Sequence, residues 1–333
     1  MPVMEHVRLG RSGLQVSRQC LGTMTFGLQS DEETSIAIMD RAAEGGIDFF
    51  DTSDAYPLGG DLDTRGRTEE IMGRWLRGKR DRFLLATKCF VPVGPAPWQA
   101  GNSRKHIMSA VEDSLRRLET DYIDLYQLHG YDYNTPIDET MSALDDLVRQ
   151  GKVRYVGCSN FLTYQLVRAI GRSETLRLAR FDSVQPRYNL LFRQCEREMF
   201  PFCLEDGVGV ISYNPIAGGL LSGKHNRQAA PPEGSRFQLG LAGGMYQDRY
   251  WHEREFDTVE RVRALADEAG VNIVTLSVAW VMANPAITAP IIGASNPGQL
   301  DASLAAAGYK LDDDLKQKLD ELTHDYRMGD APR

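Results

Sequence analysis

The feature that most constrains the fold of this chain is a regular alternation of short apolar segments with longer amphipathic ones. The apolar segments are brief and rich in β-branched and aromatic residues, and both properties favour buried strands over helices. The segments predict these strands: Gln19–Leu21, Ile47–Phe50, Phe83–Ala86, Tyr122–Leu128, Val153–Val156, Phe181–Val184, Val208–Ile211 and Ile287–Ile292.

The longer segments place apolar residues at the spacing of an amphipathic helix. Ser103 is a candidate N-cap for Arg104–Leu118, and Ser30 with Glu33 forms a candidate capping box for Glu32–Glu44. The remaining predicted helices are Thr68–Leu76, Ile137–Gln150, Leu162–Ile170, Glu196–Asp206, Asp257–Ala269, Thr275–Ala283, Pro297–Ala307 and Asp312–Thr323.

This alternation predicts an α/β fold, a (β/α)8 TIM barrel, because parallel strands need long crossovers that helices supply. The alternative, an open dinucleotide-binding sheet, should carry GxGxxG after its first strand, whereas Gly22–Gly27 reads GTMTFG. Ahead of the barrel, Val7–Leu9 and Leu14–Val16 flank a glycine turn, which predicts an N-terminal β-hairpin over the closed end of the barrel. Without a linker anywhere, we predict one domain over residues 1–333, with extra helices.

The composition narrows the function classes. The chain carries 38 Lys and Arg against 46 Asp and Glu, a net charge of −8, which disfavours nucleic acid and anionic membranes as partners. No apolar run reaches the roughly 20 residues of a membrane span, and the N-terminus lacks the pattern of a signal peptide. The five cysteines are scattered without a CxxC pair, which predicts a cytoplasmic protein without a structural metal site.

Polar or otherwise unusual residues end the predicted strands from the second to the eighth. Barrel enzymes build their active sites from the C-terminal ends of strands, so these side chains should converge on one mouth. The residues at these ends are Asp51, Lys88, His129, Ser159, Asn160, Gln185, Tyr213, Asn214 and Gly293.

Three of these residues, with Tyr56 in the second βα loop, suggest proton delivery. We expect Asp51 and Lys88 to pair, and the Lys88 ammonium to favour the phenolate of Tyr56, whose ordinary pKa is about 10. His129 can donate a hydrogen bond to a substrate oxygen. The group therefore predicts a site that protonates a developing alkoxide.

Each of these residues also has an ordinary interpretation. Asp51 can cap a loop, Lys88 can be a surface lysine whose stem is buried, His129 can be a core histidine, and Tyr56 can be a packing residue. A Schiff-base aldolase on the same barrel, with Lys88 as the nucleophile, is a further alternative.

Five ordered segments carry a resemblance to the aldo-keto reductases, within the subgroup that includes channel beta-subunit-like reductases. These segments cover the aspartate and tyrosine signature, the approach to the histidine, a GKVRYVGCSNF motif, a YNPIAGGLLSGK motif and a late IGAS motif. They are Gly46–Tyr56, Leu115–Leu125, Gly151–Phe161, Tyr213–Lys224 and Ile292–Ser295.

The resemblance implies a barrel that binds NADPH (NADP+) without a Rossmann fold and without a metal. It implies an oxidoreductase that transfers a hydride from NADPH to the carbonyl of an aldehyde or ketone. Tyr56 would be the proton donor, Lys88 and Asp51 would tune it, and His129 would orient the carbonyl.

The resemblance also assigns cofactor contacts by position. Ser159, Asn160 and Gln185 would hold the nicotinamide carboxamide, and Tyr213 would stack on its ring. Thr23, Met24 and Asp51 would lie near the nicotinamide end. The pyrophosphate would be bound by Asn214, Pro215, Ile216, Ala217, Gly218, Leu220 and Lys224. The 2′-phosphate end would contact Gly293, Ser295, Gln299 and Arg236.

Two departures from the family pattern bear on specificity. Ala302 and Ser303 stand where the subgroup often has Glu and Asn, which leaves the preference for NADPH over NADH open. Pro57 follows the tyrosine where glycine is common, and a long loop, Leu58–Arg67, comes next, which bears on substrate access.

The substrate is predicted only as a small carbonyl compound. An aromatic pocket of Phe26, Trp98, Tyr131 and Tyr133 around Tyr56 would suit an apolar or sugar-like face. A specialised keto- or enoyl-sugar reductase and a non-catalytic, NADPH-binding regulatory subunit remain alternatives. The sequence does not specify the oligomeric state.

Overall fold

A computed structural model describes residues 4–329, and eight parallel strands in it form a closed barrel. The order around the barrel is β10-β3-β4-β5-β6-β7-β8-β9, so neighbours in sequence are neighbours in space. The (β/α)8 prediction is therefore confirmed. The barrel strands are Cys20–Gly22 (β3), Phe49–Asp51 (β4), Leu84–Cys89 (β5), Ile123–Leu128 (β6), Val153–Ser159 (β7), Ser183–Gln185 (β8), Gly209–Ser212 (β9) and Ile287–Ile292 (β10).

Helices surround the barrel and follow the strands as the alternation predicted. They are Glu32–Glu44 (α1), Arg67–Leu76 (α2), Arg104–Arg117 (α3), Ile137–Arg149 (α4), Thr163–Leu176 (α5), Met199–Asp206 (α6), Gly240–Tyr250 (α7), Glu253–Glu268 (α8), Ile273–Met282 (α9), Leu300–Ala305 (α10) and Asp313–Leu322 (α11).

The predicted hairpin is present as His6–Arg8 (β1) and Gln15–Ser17 (β2), which pair antiparallel. Leu9 and Val16 are fully buried and pack with Leu125 and other side chains inside the barrel. The Arg11 amide donates to the carbonyl of Gly207, just ahead of β9, at 2.8 Å. The hairpin therefore covers the end of the barrel at which the strands begin, and the opposite end is left for a site.

Several strands run further than predicted, so that Asp51, Lys88, Ser159 and Gln185 lie inside β4, β5, β7 and β8. The hydrogen bonding between strands extends to these residues because their polar side chains contact one another within the barrel. Ser159 is paired with Gln185 across adjacent strands. Hydrogen bonds to such partners offset the free-energy cost of burying polar groups in a strand.

Some helix predictions were wrong in detail. Asp31 caps α1 through a bond from the Thr34 amide at 2.8 Å, so the Ser30 and Glu33 capping box is not formed. Glu196–Asp206 breaks at Glu198 between a short 3-10 turn and α6, and only Leu300–Ala305 of the predicted Pro297–Ala307 is α-helical.

One helix, α7, was not predicted at all. Its sequence, GLAGGMYQDRY, is rich in glycine and has weak intrinsic helix propensity. Tyr246 and Tyr250 are buried against the barrel, so tertiary packing stabilises this helix.

The helices of residues 4–329 differ from membrane spans in length and composition. None is by itself long and apolar enough, and by length and composition alone the pair α8 and α9, bent by 96°, would pass together. Helix α9 is an almost wholly buried helix of the fold.

Candidate active site

A cavity of about 780 Å³ opens at the mouth where the barrel strands end. Such a volume is typical of pockets that hold small molecules and cofactors. The sequence-predicted residues that line it are Thr23, Met24, Asp51, Tyr56, His129, Ser159, Asn160, Gln185, Tyr213, Asn214, Pro215, Ile216, Gly218, Lys224, Arg236, Gly293, Ser295 and Gln299.

At the floor of the cavity lies a buried ion pair. The Lys88 Nζ donates to Asp51 Oδ2 at 2.5 Å and to the Thr52 carbonyl at 2.7 Å. The other carboxylate oxygen of Asp51 accepts from the amides of Gln127 at 3.0 Å and Gln185 at 2.8 Å. The predicted pairing is present, and both oxygens of Asp51 are satisfied.

Lys88 is fully buried, which excludes its interpretation as a surface lysine. Burial alone would lower its pKa, but the charges of Asp51 and Tyr56 and the bonds to them raise the pKa above its ordinary value. A Schiff-base nucleophile must be a neutral amine. The surroundings of Lys88 favour the ammonium, so the aldolase alternative is disfavoured.

Tyr56 lies directly beside this pair. The Lys88 Nζ is 5.0 Å from the centroid of the Tyr56 ring, and Tyr56 is 9% exposed at the cavity wall. Burial raises the pKa of Tyr56, and the Lys88 charge offsets only part of that increase. Lys88 acts in the expected direction, toward the phenolate, but removal from water outweighs it. Tyr56 favours its protonated form.

His129 forms an edge-to-face pair with Tyr56, with ring centroids 5.7 Å apart. Burial lowers the pKa of His129 well below its ordinary value, and the charges of Lys88 and Arg65 lower it further. Its Nδ1 lies 3.1 Å from the Ser53 Oγ. That contact occupies Nδ1 and leaves Nε2 of a neutral imidazole for a ligand in the cavity.

This environment predicts an acid-dependent loss of stability. Below about pH 6.5 the unfolded chain protonates its histidine, whereas the depressed pKa keeps folded His129 neutral. The free energy of unfolding should therefore fall by up to about 1.4 kcal/mol per pH unit as the pH drops from 6.5 toward the folded pKa. In His129→Asn this component should vanish from urea unfolding curves measured across that range.

The exposed His324→Asn variant is the matched control, since its histidine lies outside the cavity. Burial also lowers the pKa values of His106 and His225. Both histidines are present in the wild type and in both variants, so they contribute equally to all the unfolding curves. An unchanged pH slope in His129→Asn would contradict a buried neutral His129.

One wall of the cavity is a network of side chains from neighbouring strands. Tyr213 Oη donates to Asn160 Oδ1 at 2.8 Å, and Asn160 Nδ2 donates to the His129 carbonyl at 2.8 Å. Ser159 Oγ donates to the Gln185 carbonyl at 2.8 Å. The amide of Gln185, expected on a carboxamide, donates to Asp51 instead.

A second wall is the turn after β9, and it is suited to an anion. Gly218 and Gly219 adopt left-handed φ values of 68° and 107°, a conformation that glycine permits without strain. Three atoms of lining residues between β9 and α8 are buried without a hydrogen-bond partner, and buried polar groups ordinarily have one. These atoms are Asn214 Nδ2, His225 Nδ1 and Ser235 Oγ.

Two predicted members of this wall lie elsewhere. Ala217 and Leu220 are buried in the main hydrophobic cluster and do not line the cavity. The turn holds them there because their neighbours Gly218 and Gly219 change the direction of the chain. The cationic side chains that line the cavity beyond Lys224 are Arg65, Arg236 and Arg249.

The far end of the cavity is formed after β10. The Ser295 Oγ donates to Gln299 Oε1 at 3.1 Å, and the Ser295 amide donates to the same oxygen at 3.0 Å. Ala302 and Ser303 line the cavity close by in sequence. Arg236 has its Nη1 3.9 Å from the Met24 sulfur, so it contacts the loop after β3.

A long segment between β9 and α8 crosses the mouth. The Gln29 amide donates to the Gly234 carbonyl, and a Cβ on Gly59 would come within 3.0 Å of Leu239 Cγ. The segment therefore reaches the loops after both β3 and β4. It covers part of the cavity and contributes lining residues to it.

The predicted aromatic pocket is not formed. Phe26 is fully buried in the core beside α2, while Trp98 and Tyr133 are 59% and 74% exposed. Tyr131 packs edge-to-face against Phe161 at 5.2 Å. Of the predicted aromatic set, Tyr56 alone lines the cavity.

Sequence reasoning missed several residues that shape the site. Side chains two residues apart in a strand point to the same side, so the position of His129 would have indicated that Gln127 points inward from β6. Ser53 lies within the signature segment but was not considered. Arg65 and the lining residues of α7, among them Tyr246 and Arg249, have no local signal, since only the path of the chain brings them to the cavity.

Comparison with known proteins adds a second line of evidence. The profile of the Aldo/keto reductase family matches residues 19–324. The oxidoreductase YrpG of Bacillus subtilis is 39% identical, with 96% of each chain covered. A probable voltage-gated potassium channel subunit beta of Arabidopsis thaliana is 34% identical over 91% of each chain, and the versiconal hemiacetal acetate reductase of Aspergillus parasiticus is 32% identical over 96% of each.

Proposed function

Since this chain belongs to the aldo/keto reductase family of nicotinamide-dependent oxidoreductases, we propose that it reduces the carbonyl group of an aldehyde or ketone with NADPH. The observation that carries the proposal is the contact of Tyr56 with the Lys88–Asp51 pair and with His129 at the floor of one cavity. When bound, NADPH supplies the hydride that is added to the carbonyl carbon.

The protein's own residues then handle the proton. Tyr56, whose pKa is raised by burial, keeps its hydroxyl proton until the carbonyl oxygen gains negative charge. Lys88 stabilises the phenolate that is left, because its ammonium is adjacent and is itself held by Asp51. His129 is neutral and offers Nε2 to position the carbonyl oxygen.

The anion-binding wall supports a dinucleotide. Its unpartnered Asn214 Nδ2 and Ser235 Oγ, with Lys224 and Arg236, offer donors and positive charge to phosphate groups. Tyr213, held by Asn160, presents a ring for stacking. The roles predicted for Thr23, Met24, Ser159 and the residues after β10 are part of the same proposal, since all of them line this cavity.

We also propose catalysis in preference to a purely regulatory role. The similarity to a channel subunit beta makes a regulatory role the natural alternative. A protein that only bound a cofactor would have no need of a tyrosine, a lysine and a neutral histidine in mutual contact.

The state of the cysteines supports a cytoplasmic location for this activity. All five are free, and free thiols are typical of the reducing cytoplasm; they are Cys20, Cys89, Cys158, Cys195 and Cys203.

The test is the oxidation of NADPH by purified protein across a panel of aldehydes, ketones, quinones and keto-sugars. Turnover of any class supports the reductase and defines its range. Tight NADPH binding without turnover of any panel member would favour the regulatory role, and absence of binding would contradict both.

The preference for NADPH should depend on the Ser295–Gln299 pair. Ser295→Ala and Gln299→Ala should each weaken NADPH binding by about tenfold and leave NADH binding nearly unchanged, because bonds to a charged phosphate are stronger than neutral ones. Fluorescence titration gives both dissociation constants. Gln317→Ala on α11 is the control, and equal losses for the two cofactors would remove the pair from the 2′-phosphate site.

A further inference from the structure

The long loop after Tyr56 returns to the active site and delivers a cation there. The Gly66 amide donates to the Tyr56 carbonyl at 3.0 Å, and Arg65 Nη1 donates to the carbonyl of Ala55. Gly66 has a φ of 85°, and a Cβ there would lie 2.5 Å from the Arg117 side chain, so the path of the loop requires glycine. Arg65 is therefore fixed next to Tyr56, and it lines the cavity.

Arg65 has no anionic partner within the described part of the chain. Among residues 4–329 it forms no ion pair, whereas the other cation at the floor, Lys88, is held by Asp51. Burial raises the pKa of the nearby Asp54 carboxyl well above its ordinary value, and the charge of Glu69 raises it further. The charges of Arg117 and Arg65 offset part of this increase, but Asp54 forms no hydrogen bond or ion pair with Arg65 among residues 4–329.

The guanidinium also carries an unused donor. Its Nε is buried and makes no hydrogen bond with the described residues, and of its nitrogens Nη1 alone donates to a protein atom. A buried donor without a partner is costly, and the cost is offset when a ligand supplies an acceptor.

The cavity that Arg65 lines also presents apolar side chains. Met24, Leu58 and Val91 line the same cavity. Among the described residues Asp51 is the one carboxylate that lines the cavity, and it is engaged with Lys88, Gln127 and Gln185. A ligand that fits these surroundings has an apolar body and a single anionic group.

From this geometry we propose that the substrate is an aldehyde or ketone that bears a carboxylate, and that Arg65 binds this carboxylate while Tyr56 and His129 hold the carbonyl oxygen. The planar guanidinium matches a carboxylate in shape and charge. The inference rests on the proposed reductase function. The carboxylate serves recognition only and is unchanged by the reaction.

The experiment compares the ortho, meta and para carboxybenzaldehydes with their methyl esters as substrates, which differ in charge and share a ring and an aldehyde. We expect wild-type protein to use at least one acid with a kcat/KM at least tenfold above that of its ester. Arg65→Gln should lower kcat/KM for the acid about tenfold to a hundredfold and change the ester less than about threefold. Arg65→Lys should retain part of the preference, and Arg67→Ala, on the exposed side of the same loop, should match wild type.

A binding measurement separates this inference from the proposed function. Calorimetry of benzoate and benzamide against the protein saturated with NADP+ needs no turnover, and Arg65→Gln should abolish the preference for benzoate. An acid-to-ester ratio that Arg65→Gln leaves unchanged, or equal binding of benzoate and benzamide to wild type, would overturn the role of Arg65. Absence of turnover with both series and with the whole carbonyl panel would instead reject the reductase, and the benzoate measurement would then decide alone whether the cavity holds a carboxylate site.

Discussion

Replacement of Tyr56 by phenylalanine should reduce carbonyl turnover about a hundredfold to ten-thousandfold, the usual contribution of a positioned general acid. The loss arises because the hydroxyl beside Lys88 is the proposed source of the proton, whereas the ring and its contact with His129 remain. NADPH affinity should stay within about threefold of wild type, since no cofactor contact is assigned to this hydroxyl. Steady-state kinetics and fluorescence titration give the two values.

A tyrosine outside the cavity provides the control for this prediction. Tyr164 is 56% exposed on α5, and Tyr164→Phe should leave both turnover and cofactor affinity at wild-type values. Wild-type activity in Tyr56→Phe would reject Tyr56 as the proton donor, and a parallel loss of NADPH affinity would show that the hydroxyl serves the cofactor instead.

Removal of the Asp51 charge should cost about 3–5 kcal/mol in the free energy of unfolding, because it leaves Lys88 as an uncompensated buried cation. Asp51→Asn keeps the shape of the side chain, so the loss reports the charge rather than a cavity. We expect the urea midpoint of Asp51→Asn to fall, and turnover to fall with it, since the lysine that steadies Tyr56 would favour its neutral form.

Two further variants make this prediction specific. The double variant Asp51→Asn with Lys88→Met should recover part of the lost stability, because the buried charge is then gone as well. Asp113→Asn breaks an exposed pair with Arg116, and its stability should be unchanged within error. Equal stability of Asp51→Asn and wild type would mean that water or another group already screens Lys88.

Much of the fold could be predicted from the sequence because the local hydrophobic patterns agree with the overall topology. The buried strand Ile287–Ile292 and the helix Glu32–Glu44 have the predicted bounds, since each has a strong local pattern and clear ends. The glycine-rich α7 has no such pattern, and packing of Tyr246 and Tyr250 decides its conformation. Helix Thr163–Leu176 likewise continues beyond the predicted end at Ile170 and passes through Gly171, a residue of low helix propensity.

The candidate site likewise has features that the sequence predicted and features that it did not. Its residues at strand ends, Asp51, Lys88 and His129, could be placed in one mouth from the sequence, because parallel strands of a barrel end together. What the sequence could not provide was the relative size of the opposing effects that set their pKa values and that of Tyr56. Burial outweighs Lys88 in setting the pKa of Tyr56, and that depends on how completely the surrounding chain excludes water.

The sequence by itself determined the barrel, the order of its strands and the polar residues at their ends, because these follow from periodicity and chain connectivity. Tertiary structure alone decided that Phe26 is a core residue, that Ala217 and Leu220 face the core, and that Arg65 reaches Tyr56. Those outcomes depend on where loops turn in three dimensions, which no local pattern of side chains specifies.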